Sequence, residues 1–311
     1  MTPAGFLTLR DIPASAWPAL FDRAATLKAE RGTVRHASLA GKTIALVFEK
    51  ASTRTRASFQ VAAYELGGHS IEMSTATSQI GRGEPIADTA RILSSYCHAI
   101  VVRTFGQDRV AEYAKAASIP VINGLSDQHH PCQVATDLFT VREHFETIEG
   151  LRYAWIGDGN NMAQSWIEAA GLFGFDLALA CPDGFAPDPL LVAAARDAQA
   201  RLGRGSILLT TDPRQAATGA HVVSTDVWAS MGQEEDAARR RAAFAGYCVD
   251  QAMVSRAAAN AIVLHCLPAH RGEEITGDVL DGPRSLAWVQ AENRLHVGKV
   301  LLEHVMIRSR A

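Results

Sequence analysis

Short apolar runs alternate along the chain with longer segments in which apolar residues recur at helical spacing. The runs are residues 44–48, 99–102, 154–156, 177–180, 207–209, 222–223 and 262–264. They are continuous rather than alternating, as expected of parallel strands buried on both faces. Between them, residues 54–66, 86–96, 110–117, 134–145, 162–173 and 190–202 read as helices. Strands that alternate with helices predict an α/β protein. Residues 285–307 form a last, long amphipathic helical segment. The polar stretch Glu146-Thr147-Ile148-Glu149-Gly150 precedes a fresh strand, glycine turn and helix. The division is therefore placed between residues 147 and 148, with 148–284 as a second domain and 285–311 expected to pack back on the first.

A length of 311 residues supports this, because a chain of that size usually splits its core in two. With 48% hydrophobic residues, core material is ample. The 30 Lys and Arg nearly balance the 33 Asp and Glu, so charge gives no reason to expect nucleic acid or an acidic membrane as partner. A small-molecule ligand fits better. Residues 1–10 lack a basic segment followed by an apolar stretch, and no window approaches the ~20 apolar residues of a membrane span, so a cytoplasmic protein is expected. Five widely spaced cysteines without a Cys-x-x-Cys pair read as free thiols.

The first candidate chemistry lies directly after the run at 44–48. Ser52-Thr53-Arg54-Thr55-Arg56, at the start of a helix, bring free N–H groups, a positive dipole end, hydroxyls and guanidinium to one point. Phosphate is the natural occupant. The plainer reading makes Ser52 an N-cap and the arginines a solvated face, but two Thr and two Arg in five residues count against it. Further polar groups stand where other strands should end, which is where ligands bind in open α/β sheets. Arg103 follows 99–102 and would otherwise be a surface residue closing a strand. In His129-His130-Pro131-Cys132-Gln133 the proline suits a first helical turn, so His130 and Gln133 can donate to a carbonyl oxygen. Zinc is the weaker reading, since no second Cys/His pair has ligand spacing. Gly157-Asp158-Gly159-Asn160-Asn161-Met162 is a partial dinucleotide fingerprint with Met162 at the third glycine, and its asparagines suit an amino-acid zwitterion or a plain helix cap. Asp226 and Cys266 each follow an apolar run. A carboxylate suits an ammonium group, while an isolated thiol is more often simply buried.

Together Ser52-Thr53-Arg54-Thr55-Arg56, His130-Pro131-Cys132-Gln133, Asp226-Val227-Trp228-Ala229-Ser230-Met231-Gly232 and His265-Cys266-Leu267-Pro268 resemble, in order and spacing, the aspartate/ornithine carbamoyltransferase family. The resemblance covers essentially the whole chain. The second pair of motifs favours the ornithine branch, since aspartate enzymes typically carry His-Pro-Leu-Pro and lack Asp-x-x-x-Ser-Met-Gly. It implies two doubly wound α/β domains with the active site in the cleft between them. Ser52, Thr53, Arg54 and Thr55 would hold the phosphate of carbamoyl phosphate, with Arg103 bridging phosphate and carbonyl oxygen. His130 and Gln133 would fix the carbamoyl group, beside Cys266, Leu267 and Arg294. Asn161, Asp226, Ser230 and Met231 would bind ornithine. Gln79 matches a residue given to a neighbouring subunit's site, which implies a homotrimer with shared active sites, alone or within a higher assembly.

The implied reaction is direct attack of the ornithine side-chain amine on the carbamoyl carbon, giving citrulline and phosphate, with arginine biosynthesis the expected role. Asp226 with Cys266 is the expected pair for orienting and deprotonating the amine, and a covalent route through Cys266 is the alternative. No metal or organic cofactor is needed. Ala51, Gln60 and Pro85 depart from the usual family text without removing a ligand. A relative acting on putrescine or an acylated ornithine would usually alter Ser230-Met231-Gly232. A nucleotide-dependent oxidoreductase would leave residues 52–56 unexplained, and a non-catalytic binding protein would be expected to lose site residues.

Overall fold

The computed structural model describes residues 5–74, 78–229 and 236–308. The chain divides into two compact units, one of Met1–Thr136 with Glu292–Ala311 and the other of Asp137–Ala291.

In the first unit, β1 (Thr43–Phe48), β2 (His69–Ser74), β3 (Ala99–Arg103) and β4 (Val121–Leu125) form a parallel sheet in the order β2-β1-β3-β4. The central strands β1 and β3 are the aliphatic runs, and Ile44, Leu46, Ile100 and Val102 are fully buried. β2 and β4 are the additions to the expected strands. β2 reads His-Ser-Ile-Glu-Met-Ser, an edge strand with polar positions exposed, and β4 contains Asn123 and Gly124. Asn123 is buried because its amide donates to Leu7 O and Gln107 Oε1, which offsets the cost of burying it. The helices are α1 (Trp17–Ala29), α2 (Arg54–Glu65), α3 (Ile86–Tyr96), α4 (Gln107–Ala116) and α5 (Pro131–Phe145). α5 runs across the division between the units, which lies at Thr136/Asp137.

The second unit carries β5 (Arg152–Ile156), β6 (Asp176–Ala180), β7 (Ile207–Thr210), β8 (Val222–Thr225) and β9 (Ile262–His265), parallel in the order β7-β6-β5-β8-β9. Its helices are α6 (Asn161–Phe173), α7 (Pro189–Leu202), α8 (Pro213–Ala217), α9 (Ala237–Ala243), α10 (Gln251–Val254) and α11 (Gly277–Leu280). The turn from β5 to α6 shows why its second glycine is needed. A Cβ on Gly159 would lie 2.3 Å from Pro187 N and 2.6 Å from Phe185 O, and Gly159 N–H donates to that Phe185 carbonyl. The glycine answers a close backbone approach within the unit.

The final helix α12 (Ala287–Arg308) enters the first unit from Glu292 onward. There Arg23 makes a bidentate pair with Glu303, Ser38 Oγ donates to the same carboxylate, Lys299 pairs with Glu65, and Lys28 donates to Asn293. No helix among the described residues is long and apolar enough to cross a membrane.

Each sheet has one point where strand order reverses, between β1 and β3 in the first and between β5 and β8 in the second. Loops leaving neighbouring strands there diverge to opposite faces and open a crevice at the carboxyl ends.

Candidate functional site

In the first unit the reversal point is lined by the loop after β1 and by the end of β3. Helix α2 begins at Arg54, with Thr53 at its N-cap in a helical conformation and making no side-chain cap bond. Ser52 precedes the cap and is not the cap itself. First-turn N–H groups and the dipole's positive end thus face the same crevice as Thr55, which is buried. Arg56 points elsewhere, pairing with Glu72 of β2 at 3.0 Å, with Gln60 on the same carboxylate.

Arg103, the last residue of β3, is buried and donates from Nη1 to Thr55 Oγ1 at 3.5 Å. Arg294, buried on α12, donates to the same hydroxyl at 2.9 Å, to Gln133 Oε1 at 2.5 Å and to His130 Nε2 at 3.4 Å. Pro131 opens α5, as its fixed φ favours, so His130 and Gln133 stand at that helix's start. Five residues from four separate stretches of the chain therefore meet within one buried cluster. Two guanidiniums drawn onto one neutral hydroxyl repel each other in a low dielectric, an arrangement that fits an anionic ligand.

The protonation state of His130 follows from its neighbours. Burial first, then Arg294, Arg103 and Arg54, hold its imidazole well below the usual range, so it is neutral at pH 7. Arg294 only donates, hence Nε2 accepts and the ring proton sits on Nδ1. Gln133 Oε1 is likewise taken by Arg294, which leaves its amide Nε2 as the donating end. Cys132 between them donates to Asn123 O, and burial pushes its thiol up to about 12. That is the chemistry of a structural thiol, not of a metal ligand.

The neighbouring His129 is pushed down to about 4 by burial and then by Arg10. An unfolded histidine takes up a proton near pH 6.5, whereas these two stay neutral when folded, so unfolding binds protons below that pH. Their contribution to stability is intact above pH 6.5 and falls by up to about 1.4 kcal/mol per histidine per pH unit below it. The midpoint of thermal unfolding is expected to drop between pH 7 and pH 5, and a flat midpoint over that range would contradict the neutral assignment of His129 and His130.

Gln79, exposed at the start of a short 3₁₀ turn (Gln79–Arg82), joins none of these hydrogen bonds.

The second unit assembles a different set at its own reversal point. Asp226 follows β8 directly, and its carboxylate accepts from Cys266 Sγ at 3.0 Å, Asn160 Nδ2 at 3.2 Å and Val227 N at 2.8 Å. Asn160 is also the N-cap of α6, accepting from Met162 N and Ala163 N, so the plain cap reading holds for this side chain. Asn161 is the first residue of that helix. Ser230 and Met231 lie outside the described residues.

Cys266 and Leu267 follow β9. Leu267 takes a left-handed conformation, φ 57°, uncommon for a residue with a bulky side chain. His265 holds it there. Its Nδ1 accepts from Leu267 N at 2.9 Å, so Nε2 carries the proton and donates to the buried Glu274 at 3.0 Å. Gln290 Oε1 accepts from His265 N and fixes the strand end. Asp226, His265 and Cys266 offer ligand-type atoms within 4.8 Å of one another. With both ring nitrogens of His265 engaged, the cluster reads as a hydrogen-bonded network.

Two buried residues of this unit carried no sequence signal. Arg240 on α9 donates to Asp158 at 2.6 Å and to Trp228 O at 2.7 Å, and stacks on Phe185. Burial raises the Asp158 carboxyl, with Arg240 opposing the shift. Glu274 is the other, and its partner His265 was visible only as part of a motif.

Comparison with known proteins agrees with this division of chemistry. Residues 5–143 match the model of the aspartate/ornithine carbamoyltransferase carbamoyl-P binding domain, and residues 149–305 that of the Asp/Orn binding domain. The chain is similar to the ornithine carbamoyltransferase of Geobacter metallireducens, 52% identical over 97% of this chain and 98% of that one. The Pelobacter propionicus enzyme of the same name is 53% identical with the same coverage. Among solved structures, ornithine carbamoyltransferase from Pyrococcus furiosus superposes with a TM-score of 0.92 at 44% identity, covering 97% of this chain and 96% of that one. That from Gloeobacter violaceus gives 0.87 at 46% identity, covering 97% and 98%.

Proposed function

The chain belongs to the aspartate/ornithine carbamoyltransferase family, and from that premise we propose that it is an ornithine carbamoyltransferase, making citrulline and phosphate from carbamoyl phosphate and L-ornithine. The observation that carries the reading is the convergence of Arg103 and Arg294 on Thr55 with neutral His130 and Gln133 beside them.

In this reading Ser52, Thr53, Arg54 and Thr55 seat the phosphate at the N-terminus of α2, where backbone N–H groups and the dipole favour an anion. Arg103 spans the phosphate and the carbonyl oxygen, and Arg294 steadies both Thr55 and Gln133. Attack on the carbonyl carbon develops an oxyanion, then a phosphate dianion as the carbon–oxygen bond breaks. Donors fixed before the reaction stabilise both charges without reorganising. His130 is suited to this because a neutral imidazole keeps an N–H to give and does not take the amine's proton.

The amine must be neutral to attack. With a reference pKa of about 10.4, on the order of one molecule in 10³ is neutral at pH 7. Asp226, oriented by Cys266 and Asn160, accepts the proton, which leaves the nitrogen lone pair free to form the new C–N bond. Asn161, Ser230 and Met231 hold the amino-acid end of ornithine, and Cys266 and Leu267 border the carbamoyl group. Residues 1–147 with 285–311 form the carbamoyl phosphate domain in this account, and 148–284 the ornithine domain. The protein works in the cytoplasm in arginine biosynthesis, as a homotrimer in which exposed Gln79 reaches a neighbour's site.

Transfer rather than hydrolysis is tested by incubating the enzyme with both substrates and measuring both products. Citrulline and phosphate should appear one for one, whereas phosphate without citrulline would mean that water, not the amine, is the nucleophile.

A further inference from the structure

At the residues next to Arg103 and to the end of β1 lies a second hydrogen-bonded cluster, around a buried carboxylate, that plays no part in the chemistry above. Glu49, the residue after β1, has a side chain only 3% exposed. Its carboxylate accepts three hydrogen bonds, from Arg109 Nε at 2.8 Å, Arg109 Nη2 at 2.9 Å and Thr104 Oγ1 at 2.5 Å. Thr104 is fully buried, follows Arg103 directly, and also accepts from Arg109 Nε at 3.1 Å. The main chain is tied at the same place. Glu49 N–H donates to Arg103 O at 2.8 Å, and Thr104 N–H donates to Leu125 O at 3.0 Å.

This knot sits on an irregularity. The pairing of β3 with β4 shifts register between Val102 and Arg103, where Val102 faces Asn123 but Arg103 faces Leu125. The extra residue is Gly124 of β4, so the ladder is interrupted just where β3 ends at Arg103, and such irregularities occur often beside functional sites. The reach of Arg103 to Thr55 is already long at 3.5 Å, so a small movement of the β3 end removes the contact. An exposed ion pair would contribute little, but this carboxylate is enclosed, with bidentate geometry to Arg109, and such pairs fix orientation strongly.

We propose that Glu49, acting through Thr104 and charge-matched by Arg109, is a positioning residue that locks the end of β3 at Arg103 and so aims the guanidinium at carbamoyl phosphate. The proposal rests on the reading of the first unit as the carbamoyl phosphate site. Glu49 touches neither substrate nor reacting atoms, and its effect is expected on that half-site alone.

The test measures binding of carbamoyl phosphate, and of inorganic phosphate as a second probe, to the full-length protein by calorimetry without amine. It is followed by steady-state kinetics with each substrate varied. Thr104→Val keeps the volume and removes the hydroxyl, while Thr104→Ser keeps the hydroxyl. Thr104→Val and Glu49→Gln are expected to weaken carbamoyl phosphate binding and raise its KM by about ten- to a hundredfold, since small misplacements of a positioning group cost that much. The KM for ornithine should not change, and Thr104→Ser should bind within about twofold of wild type. Should Glu49→Gln fail to fold, the Thr104 pair still decides. Thr104→Val with wild-type carbamoyl phosphate binding and KM, whatever its thermal midpoint, would overturn the proposal and leave the knot a purely structural feature. Wild-type protein that binds neither probe would instead overturn the underlying reading of the site.

Discussion

Replacing Arg103 by alanine is expected to lower kcat/KM for carbamoyl phosphate by about 10²–10³-fold, or roughly 3–4 kcal/mol of transition-state stabilisation. The size of the loss follows from where the guanidinium stands. It is buried at the end of β3, its carbonyl accepts from Glu49 N–H, and it shares Thr55 with Arg294, so it is positioned before any charge develops on the substrate. Water entering the space left by the side chain would have to reorient as the oxyanion forms, and so cannot replace a fixed donor. Folding should not suffer in proportion. Two like charges in one buried cluster repel, so losing one relieves repulsion while forfeiting the Thr55 bond, and the thermal midpoint is expected to stay close to that of wild type. Kinetics within threefold of wild type would remove Arg103 from the chemistry. A collapsed midpoint would make its role structural.

The second large effect is expected at Asp226. Asp226→Asn should reduce kcat/KM for ornithine by about 10²–10⁴-fold, the range of a positioned general base, while leaving carbamoyl phosphate binding as it was. The carboxylate accepts from Cys266, Asn160 and Val227 at once. Val227 N and Cys266 Sγ share Oδ1 while Asn160 donates to Oδ2, so an amide, with a single acceptor oxygen and an NH₂ group in place of the other, turns at least one of these bonds into a donor–donor clash. It also cannot accept the amine's proton. Because Asp226 belongs to the unit that does not contain Thr55, Arg103 or Arg294, binding of carbamoyl phosphate alone separates a local defect from a global one. Unchanged ornithine saturation in Asp226→Asn would mean that the acceptor site lies elsewhere.

The central strands of both sheets were legible because both faces are buried and their sequences carry continuous apolar runs. β2 was not, because an edge strand with exposed His69 and Glu72 carries no such run. β4 was hidden by Asn123 and Gly124, a buried amide and a glycine whose fitness depends on partners far away in sequence. In α1 the buried Trp17, Phe21, Ala24 and Leu27 do recur at helical spacing, a signal present in the sequence itself.

The same contrast runs through the site. Ser52 to Thr55, Arg103, His130, Gln133 and Asp226 stand next to strand or helix ends that the hydrophobic pattern locates, so their placement could be argued from local sequence. Arg294 could not. It meets Gln133 across 161 residues, and nothing around it in the amphipathic pattern of α12 sets it apart, so only the family resemblance pointed to it. Glu49 with Arg109, Arg240 with Asp158, and Glu274 with His265 are likewise pairs whose partners the chain brings together only on folding. Burial of a charged side chain is what marks them, and burial is not written in a short window of sequence.

One half-site is proposed to hold carbamoyl phosphate and the other to select the side-chain amine of ornithine. Product formation from carbamoyl phosphate, with ornithine, putrescine, N-acetylornithine and aspartate offered separately to the purified protein, tests it most directly. Citrulline from ornithine, with no carbamoylated product from the other three, is the predicted result. Turnover of a different amine in place of ornithine would contradict the assignment of Asp226, Ser230 and Met231 while leaving the phosphate site standing.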